Sequence, residues 1–388
     1  MLTIGAGKSL HFVDPCHLKK YVTSLRADIT GDCVIDYSKY AIFPGFVDVH
    51  VHFRQPGFSY KETIASGSTA AAKSGYFAVC TMPNLNPVPD SLTALSRQLD
   101  IIKQDAKINV LPFGSITKGQ RGVEISDLEE MSPYVCGFSD DGVGVNDKGL
   151  MREAMQRAFA LNKVISAHCE DSTQPKDSPE AEWKQIERDI KLADETKVKY
   201  HVCHASTKES IALIRDAKRS GVNITCETAA HYLTFSVEDI RNDGCFKMNP
   251  PIRSLSDKLA LIEAICDGTI DMIATDHAPH SAEEKSRGLE SLNGIVGLEV
   301  TFPVLYTELV KKNIIPLERL IELMSHTPSR RFDIKVDGYN VFDLNEEYTI
   351  SASDLASMGK STPYIGKSVF GRCIANIVND RVVYANFD

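Results

Sequence analysis

The sequence has no apolar run near the roughly 18 residues that a membrane span requires, and its first residues, MLTIGAGKSLHFVDP, do not resemble a signal peptide. Its ten cysteines form no CxxC pair and show no regular spacing, which argues against a disulfide framework. Its 43 lysines and arginines are dispersed among 52 acidic residues and form no basic stripe. These absences predict a cytoplasmic protein with reduced thiols and with neither nucleic acid nor membrane as a partner.

The chain has 388 residues, 43% of them hydrophobic and 24% charged, with no internal repeat and no low-complexity segment. This length is enough for one large hydrophobic core and a smaller accessory part. The formal net charge of -9 disfavours polyanions as partners, but a small anionic substrate fits a site where the charge is locally reversed.

Eight short apolar stretches alternate with amphipathic segments that carry helix start signals. Asp90 and Asp147 each precede such a segment, and Ser59 with Glu62 has the spacing of a capping box. Strands separated by helical crossovers are typical of an α/β fold, the (β/α)8 barrel, which we expect to span 44–336. The predicted strands are 46–53, 77–82, 108–114, 135–139, 163–168, 198–204, 223–228 and 271–276.

Both ends of the chain have a different pattern. From 337 onward the residues alternate between apolar and polar with turn residues between them, which predicts antiparallel strands, and GDCVIDYSKYAIF near the N-terminus predicts a strand pair. We therefore expect 1–43 and 337–388 to form one small β-domain beside the barrel.

One face of the first predicted barrel strand is polar and ionisable. In FVDVHVHFR the apolar residues occupy one parity, while Asp48, His50, His52 and Arg54 occupy the other. Alternate residues of a strand share a face, and four ionisable groups on one face are costly wherever water is scarce. The face is therefore either exposed to solvent or part of a site.

The ends of other predicted strands also carry imidazole and carboxylate side chains. Barrel enzymes place their active residues at the carboxyl ends of their strands. Imidazole and carboxylate groups in this number suit a site for two zinc ions. For His201, His231, His277 and His326 we expect ordinary core or surface roles, and for Lys118 a solvated loop. The candidate ligands are His50, His52, Asp141, His168, His204 and Asp276.

Asp140 and Asp141 form a DDG sequence that is also common in simple turns. In an extended strand Asp140 points away from the barrel mouth, so Asp141 is the better candidate ligand. The nearby Lys118 and Lys163 are assigned no metal role.

Seven motifs lie along the chain at and between the predicted strand ends. They are FPGFVDVHVHFRQPGFSYKETI, MPN at 82–84, FSDDGVGV at 138–145, SAHCED at 166–171, HVCHASTKES at 201–210, KMNPPIRS at 247–254 and IATDHAPH at 273–280. Together these motifs resemble those of the type I dihydroorotases of the amidohydrolase superfamily. The resemblance covers about 33–388 and implies reversible cyclisation of N-carbamoyl-L-aspartate to L-dihydroorotate, a step of de novo pyrimidine (UMP) synthesis.

The resemblance also implies roles for individual residues. His50 and His52 would bind one zinc with Asp276, while His168 and His204 bind the other and Asp141 is shared by both. The substrate carboxylate would be held by Arg54, Asn84 and His280, and its ring amide by Asn249. The resemblance further implies a homo-oligomer such as a dimer, and it allows association with an aspartate transcarbamoylase.

The chemistry of a cyclic amide agrees with these roles. Opening the ring requires a nucleophile at neutral pH, a polarised carbonyl and a proton for the departing nitrogen, and bound metals supply the first two. Asp276 is the natural group to move the proton.

Two alternatives stay open. Hydantoinases and allantoinases share the histidines and the aspartate, but resemble one another in using a carboxylated lysine where this chain has FSDDG. A catalytically silent scaffold for aspartate transcarbamoylase would have lost ligands, whereas all six positions are filled here. The loop RGLESLNGIVG also departs from the Ala-Pro-Phe found in many dihydroorotases, which leaves its conformation over 286–294 open.

Overall fold

The structure is a computed structural model that describes residues 40–386 and the backbone of two short strands, β1 (Thr3–Ile4) and β2 (Cys33–Val34). Strands β1 and β2 pair antiparallel. The strand pair expected within GDCVIDYSKYAIF is wrong in its pairing, because β2 pairs with β1 while 41–44 joins a different sheet. The remainder of the predicted N-terminal β segment lies outside the described residues.

Eight parallel strands occur within the described residues, one at each predicted position, and most are shorter than predicted. They form a sheet of three and a sheet of five, and isolated parallel bridges link Gly114 to Phe138 and Val51 to His277 at the sheet edges. The strands are β4 (Phe46–Val51), β5 (Tyr76–Thr81), β6 (Asn109–Pro112), β7 (Gly137–Phe138), β8 (Val164–Ala167), β9 (Lys199–Val202), β10 (Ile224–Thr228) and β11 (Met272–Ile273).

Helices lie between these strands and after the last of them. None of the helices in the part of the chain that the structure describes is long and apolar enough to cross a membrane. The helices are α1 (Ile64–Lys73), α2 (Leu92–Asp105), α3 (Leu128–Met131), α4 (Lys148–Ala160), α5 (Pro179–Thr196), α6 (Lys208–Arg219), α7 (Ala230–Thr234), α8 (Leu255–Asp267), α9 (Leu298–Leu305), α10 (Leu317–Ile321) and α11 (Thr327–Arg331).

The predicted helix starts had mixed outcomes. Asp147 caps α4 as expected, since its carboxylate accepts from the backbone N–H of Leu150. Helix α2 starts one residue later than expected, because Ser91 and not Asp90 is its N-cap. The expected start at Ser59 is wrong, because Thr63 caps α1.

A four-stranded antiparallel sheet packs against the parallel strands. Its strands are β3 (Ala41–Pro44), β12 (Gly338–Thr349), β13 (Ser368–Val378) and β14 (Arg381–Ala385), in the order β14-β13-β12-β3, which confirms the antiparallel prediction beyond 337. Phe302 of α9 packs on Phe342 of β12 with ring centroids 4.4 Å apart, and on Phe46 of β4 at 5.2 Å. The buried side-chain amide of Asn376 donates to the carbonyl of Tyr76 on β5 at 2.9 Å.

Candidate active site

The six predicted metal ligands converge at the carboxyl ends of the parallel strands, and all six are buried. His50 belongs to three groups of three, and within each group the potential ligand atoms lie within 4.8 Å of one another. Two groups consist of predicted ligands, namely His50, His52 and Asp276, and His50, Asp141 and His204, while the third is His50, Cys203 and Glu227.

His50, which is 0% exposed, lies at the centre of the cluster. Its Nδ1–H donates to Oε1 of Glu227 at 2.7 Å, so in a neutral ring Nε2 carries a lone pair. Nε2 faces Oδ1 of Asp141 at 3.2 Å and Oδ1 of Asp276 at 3.6 Å. Three electron-rich atoms facing one another require a proton or a cation between them.

The side chains of Asp140 and Asp141 point in different directions and have different partners. Oδ1 of Asp140 accepts from the backbone N–H groups of Ile116 and Thr117 at 2.8 and 3.1 Å, and Oδ2 accepts from the Thr117 hydroxyl. Asp141 instead faces the histidines, with Oδ2 at 3.5 Å from Nε2 of His52. Asp140 thus anchors the segment after β6, while Asp141 is available to bind a metal.

His168 and His204 lie on the other side of Asp141. Nε2–H of His168 donates to Oε2 of Glu170 at 3.0 Å, which leaves its Nδ1 facing Nε2 of His204 at 3.0 Å and Oδ1 of Asp141 at 3.7 Å. Nε2 of His204 lies 3.5 Å from the same oxygen. Two ring nitrogens and a carboxylate oxygen therefore point at one small region.

Asp276 and His52 complete the cluster. Nδ1–H of His52 donates to Oδ1 of Asn84 at 2.9 Å, and its Nε2 faces Oδ1 of Asp276 at 3.2 Å. Burial raises the pKa of Asp276, but its hydrogen bond with His52 and the charges of the nearby histidines outweigh burial and lower the pKa. Asp276 is therefore a carboxylate at neutral pH.

The electrostatics of the cluster favour a cation. Burial lowers the pKa of His50, but the charges of Asp141 and Glu227 raise it well above its usual value. Burial raises the pKa of Asp141, but the positive charge of His50 and the ring nitrogens of His204 and His50 close to its carboxylate hold the pKa well below its usual range. Carboxylate charge in the cluster thus exceeds what neutral imidazoles can balance.

Three residues of the site have a backbone conformation that side chains other than glycine rarely adopt. The φ angles are 57° at Arg54, 34° at His204 and 47° at Asp276, each just beyond the end of a strand. Such conformations persist only where the surrounding structure enforces them, and they concentrate at functional sites.

Arg54 is 9% exposed and lies beside the cluster. Its Nε–H points at the carbonyl of Pro279 at 3.4 Å, and no carboxylate of residues 40–386 forms an ion pair with it. A buried guanidinium without a carboxylate partner is suited to bind an anion.

The other predicted substrate residues differ in their placement. The cluster lies in a cleft, and Asn84 and Asn249 line this cleft together with Arg54. His280 does not: its Nε2–H donates to the carbonyl of Asn293 at 2.7 Å, and its Nδ1 accepts from Nζ of Lys61 at 3.3 Å. His280 therefore lies behind Arg54 and not in the cleft lining.

The two lysines near the Asp141 strand end lie away from the cluster. Nζ of Lys118 pairs with Glu124 at 2.7 Å in an exposed loop, and Nζ of Lys163 donates to the carbonyl of Val135 at 2.7 Å. Neither lines the cleft.

The sequence analysis missed three residues of the site, namely Glu227, Glu170 and Asn293. Glu227 could have been found, because a glutamate within the apolar strand ITCET raises the same question as the histidines of β4. Glu170 follows directly in the HCED motif. Asn293 lines the cleft from a loop without regular structure, so no periodic pattern points to it.

Comparison with known sequences gives one consistent result. Residues 40–210 match a family model described as Dihydro-orotase-like. A dihydroorotase of Fusobacterium nucleatum is 46% identical over 388 residues, covering 93% of this chain and 91% of that protein. A dihydroorotase of Bacillus thuringiensis is 43% identical over 393 residues, covering 94% and 92%.

Solved structures share the fold. An L-hydantoinase (dihydropyrimidinase) from Arthrobacter aurescens superimposes with a TM-score of 0.83 at 25% identity, covering 91% of this chain and 87% of that one. A dihydropyrimidinase from Brevibacillus agri has a TM-score of 0.81 at 20% identity, covering 99% and 91%, which shows likeness of fold alone.

Proposed function

The chain belongs to the dihydroorotase family, and we propose that its cleft interconverts N-carbamoyl-L-aspartate and L-dihydroorotate, a step of pyrimidine synthesis. Members of this family are metal-dependent cyclic amide hydrolases. The observation that carries the proposal is the location of the unpaired guanidinium of Arg54 in the same cleft as the histidine and carboxylate cluster. The cluster suits amide chemistry, and the guanidinium suits the carboxylate that both substrates carry.

We propose zinc as the metal, with two ions per chain. Nε2 of His50 and Oδ1 of Asp141 are buried and have no hydrogen-bond partner among the described residues, as expected of atoms that bind a metal. His50 and His52 would hold one ion with Asp276, while His168 and His204 hold the other and Asp141 is shared. Imidazole nitrogen and carboxylate oxygen are ligands that zinc accepts.

The six candidate ligands would hold zinc, which when bound would supply water of lowered pKa and polarise the ring carbonyl. Asp276, a carboxylate at neutral pH, accepts the proton of the nucleophile and delivers it to the departing ring nitrogen. In the biosynthetic direction the same carboxylate takes a proton from the carbamoyl nitrogen as the ring closes, and passes it to the hydroxide that departs from the substrate carboxylate under attack, so that water leaves. Its strained backbone holds it beside His52 for this task.

The substrate carboxylate would pair with Arg54, with the side chain of Asn84 beside it. Asn84 uses Oδ1 to accept from His52, so its amide N–H groups remain for the substrate. Asn249 would contact the ring amide from the opposite wall, where its Nδ2 donates to Glu170 at 3.0 Å. His280 would act through Arg54, since its ring lies 3.4 Å from that guanidinium.

Hydantoinase or allantoinase activity is the second candidate, because the similar solved structures are hydantoinases. Two observations favour dihydroorotase. The relatives that share 43–46% identity are dihydroorotases, and neither Lys118 nor Lys163 lies where a carboxylated lysine would join the cluster. A silent scaffold is disfavoured, because all six candidate ligands are present and converge.

One assay separates these candidates. Zinc-loaded protein is given carbamoyl-aspartate, dihydroorotate, hydantoin and allantoin side by side. We expect turnover of the first two. Turnover of hydantoin or allantoin alone would reject the proposal in favour of a related cyclic amidase, and inactivity towards all four would favour the scaffold.

We also propose that the two parallel sheets form one closed (β/α)8 barrel over 44–336 and that 1–43 and 337–388 form a small β-domain of the type I arrangement. The two bridges between the sheet edges support the barrel. The antiparallel sheet that contains both 41–44 and the C-terminal strands supports the domain. Cytoplasmic location, a homo-oligomer and association with an aspartate transcarbamoylase stay predictions.

A further inference from the structure

Glu227 of β10 is a carboxylate that the proposed chemistry does not use, although it is fully buried behind the metal cluster. Its Oε1 accepts from Nδ1–H of His50 at 2.7 Å and from the backbone N–H of His204 at 3.2 Å. Its Oε2 accepts from Nε2–H of His201 at 3.0 Å. One carboxylate thus contacts a proposed ligand of each zinc ion.

With Glu227 ionised, these contacts assign the protons along a short series of hydrogen bonds that links Thr225, His201, Glu227 and His50. The Thr225 hydroxyl lies 2.9 Å from Nδ1 of His201 and donates to it, because the proton of that ring is on Nε2, which donates to Glu227. Since Glu227 is acceptor-only when ionised, the proton between it and His50 must be on Nδ1 of His50. When the ring of His50 is neutral, as in a metal ligand, its lone pair is therefore on Nε2, the buried atom that faces Asp141 and Asp276.

We propose that Glu227 is the positioning residue for both metal sites, because it sets the tautomer of His50 and holds the strained backbone of His204 in place. The inference rests on the proposed function, since it takes His50 and His204 as zinc ligands. A carboxylate that accepts the second N–H of a ligating histidine fixes the ring orientation and makes the metal-binding nitrogen more basic.

A purely structural role explains Glu227 poorly. No lysine or arginine of the described residues pairs with it; its ion-pair partners are His50 and His201. An unpaired buried carboxylate is strongly destabilising, and an apolar side chain would fill the same position in the strand more favourably. Two of the groups that contact the carboxylate, the ring of His50 and the backbone N–H of His204, belong instead to proposed metal ligands.

The test is zinc affinity, measured by competition with a chelator, for wild type and for Glu227→Gln. We expect the variant to bind zinc 10- to 100-fold more weakly. Glu299→Gln is the matched control, because Glu299 is also a buried carboxylate. Its oxygens accept from the backbone N–H groups of Ala356 and Ser357, neither of which is a proposed metal ligand. Equal zinc affinity in wild type and Glu227→Gln would overturn the inference. Failure of wild type itself to bind zinc would reject the proposed function instead.

A second measurement needs no variant. Nitrogen NMR of histidine-labelled wild-type protein loaded with zinc reports which nitrogen of His50 carries the proton. We expect a proton on Nδ1 and metal on Nε2. Metal on Nδ1, or an unprotonated Nδ1, would overturn the inference even if the Glu227→Gln protein failed to fold.

Discussion

At the scale of single residues, Arg54 separates substrate binding from metal binding. It lies in the cleft but contacts none of the proposed ligands through a hydrogen bond. Arg54→Met should therefore keep its zinc while substrate binding weakens by about 2 kcal/mol or more, since a desolvated carboxylate loses its partner. Metal analysis and steady-state kinetics check both parts. Arg219→Met is the control, because Arg219 is exposed, and an unchanged KM in Arg54→Met would remove Arg54 from substrate binding.

Asp276 has two proposed tasks that one substitution separates. In Asp276→Asn the amide oxygen still reaches the metal, but the side chain no longer accepts a proton at neutral pH. Turnover should fall about 10²- to 10⁴-fold while most of the zinc remains bound. Rapid kinetics together with zinc content measures this, and near-normal turnover would exclude Asp276 as the proton carrier.

Asp141 distinguishes this chain from relatives that use a carboxylated lysine. Asp141→Ala should lose at least one zinc and most activity, because the carboxylate of Asp141 faces all four of the proposed histidine ligands. Lys118→Ala and Lys163→Ala should keep both ions, and zinc should rebind equally well with or without bicarbonate. Native mass spectrometry counts the ions. Loss of zinc from a lysine variant, with Asp141→Ala still loaded, would point to a modified lysine.

At the scale of elements, the conformation of the loop 281–294 is stabilised by one buried amine. Nζ of Lys285 donates to the carbonyls of Lys247, Leu292 and Gly294 at 3.0, 2.8 and 2.8 Å, and Gly294 lines the cleft. Lys285→Met leaves these carbonyls without their donor, so we expect the variant to lose about 1–3 kcal/mol of stability and to bind substrate more weakly.

The same residue predicts a pH dependence. Burial lowers the pKa of Lys285 to about 8, below the roughly 10.4 of an unfolded chain, so the unfolded chain binds the extra proton between these values. Stability of wild type relative to Lys285→Met should therefore increase as pH rises from 8 towards 10. Urea unfolding at pH 7.5 and 9.5 measures the difference, with exposed Lys191→Met as control. A difference that shrinks with pH would contradict the assignment.

Elements with a periodic pattern were predictable from sequence. The eight parallel strands and the antiparallel strands beyond 337 follow from apolar runs and alternation, and the start of α4 follows from the cap at Asp147. The start at Ser59 failed because Glu62 turns inward, where it accepts from Ser66 and Ser357 and holds the segment after β12. A local pattern cannot reveal that a distant segment competes for the same carboxylate.

The types of ligand residue were also predictable, because burying His and Asp side chains after apolar strands is unfavourable unless they bind a partner or a metal. Contacts through space were not. The sequence does not show that His280 lies behind Arg54, that Glu227 reaches both His50 and His204, or that Asp276 adopts a positive φ. The contact of His280 with Arg54 joins residues 226 positions apart, and that of Glu227 with His50 joins residues 177 positions apart, so no local pattern points to either.

At the scale of the whole molecule, the parallel strands and the antiparallel sheet share one hydrophobic core. Phe43 and Phe342 belong to the antiparallel sheet, yet both pack against Phe46 at the start of the first parallel strand. The strand that carries His50 and His52 is thereby fixed at its base by the terminal sheet. Arg54 places a positive charge in the cleft of a protein whose formal net charge is -9, which suits the carboxylate of an anionic substrate.

We propose that zinc held by this cluster makes the cleft active towards dihydroorotate, and a zinc titration measures this dependence. Protein stripped with a chelator is titrated with zinc while the ring opening of dihydroorotate is followed. We predict that the stripped protein is inactive and that turnover rises with added zinc up to two ions per chain. Full activity in the stripped protein, or a zinc-saturated protein that leaves dihydroorotate unchanged, would contradict the account.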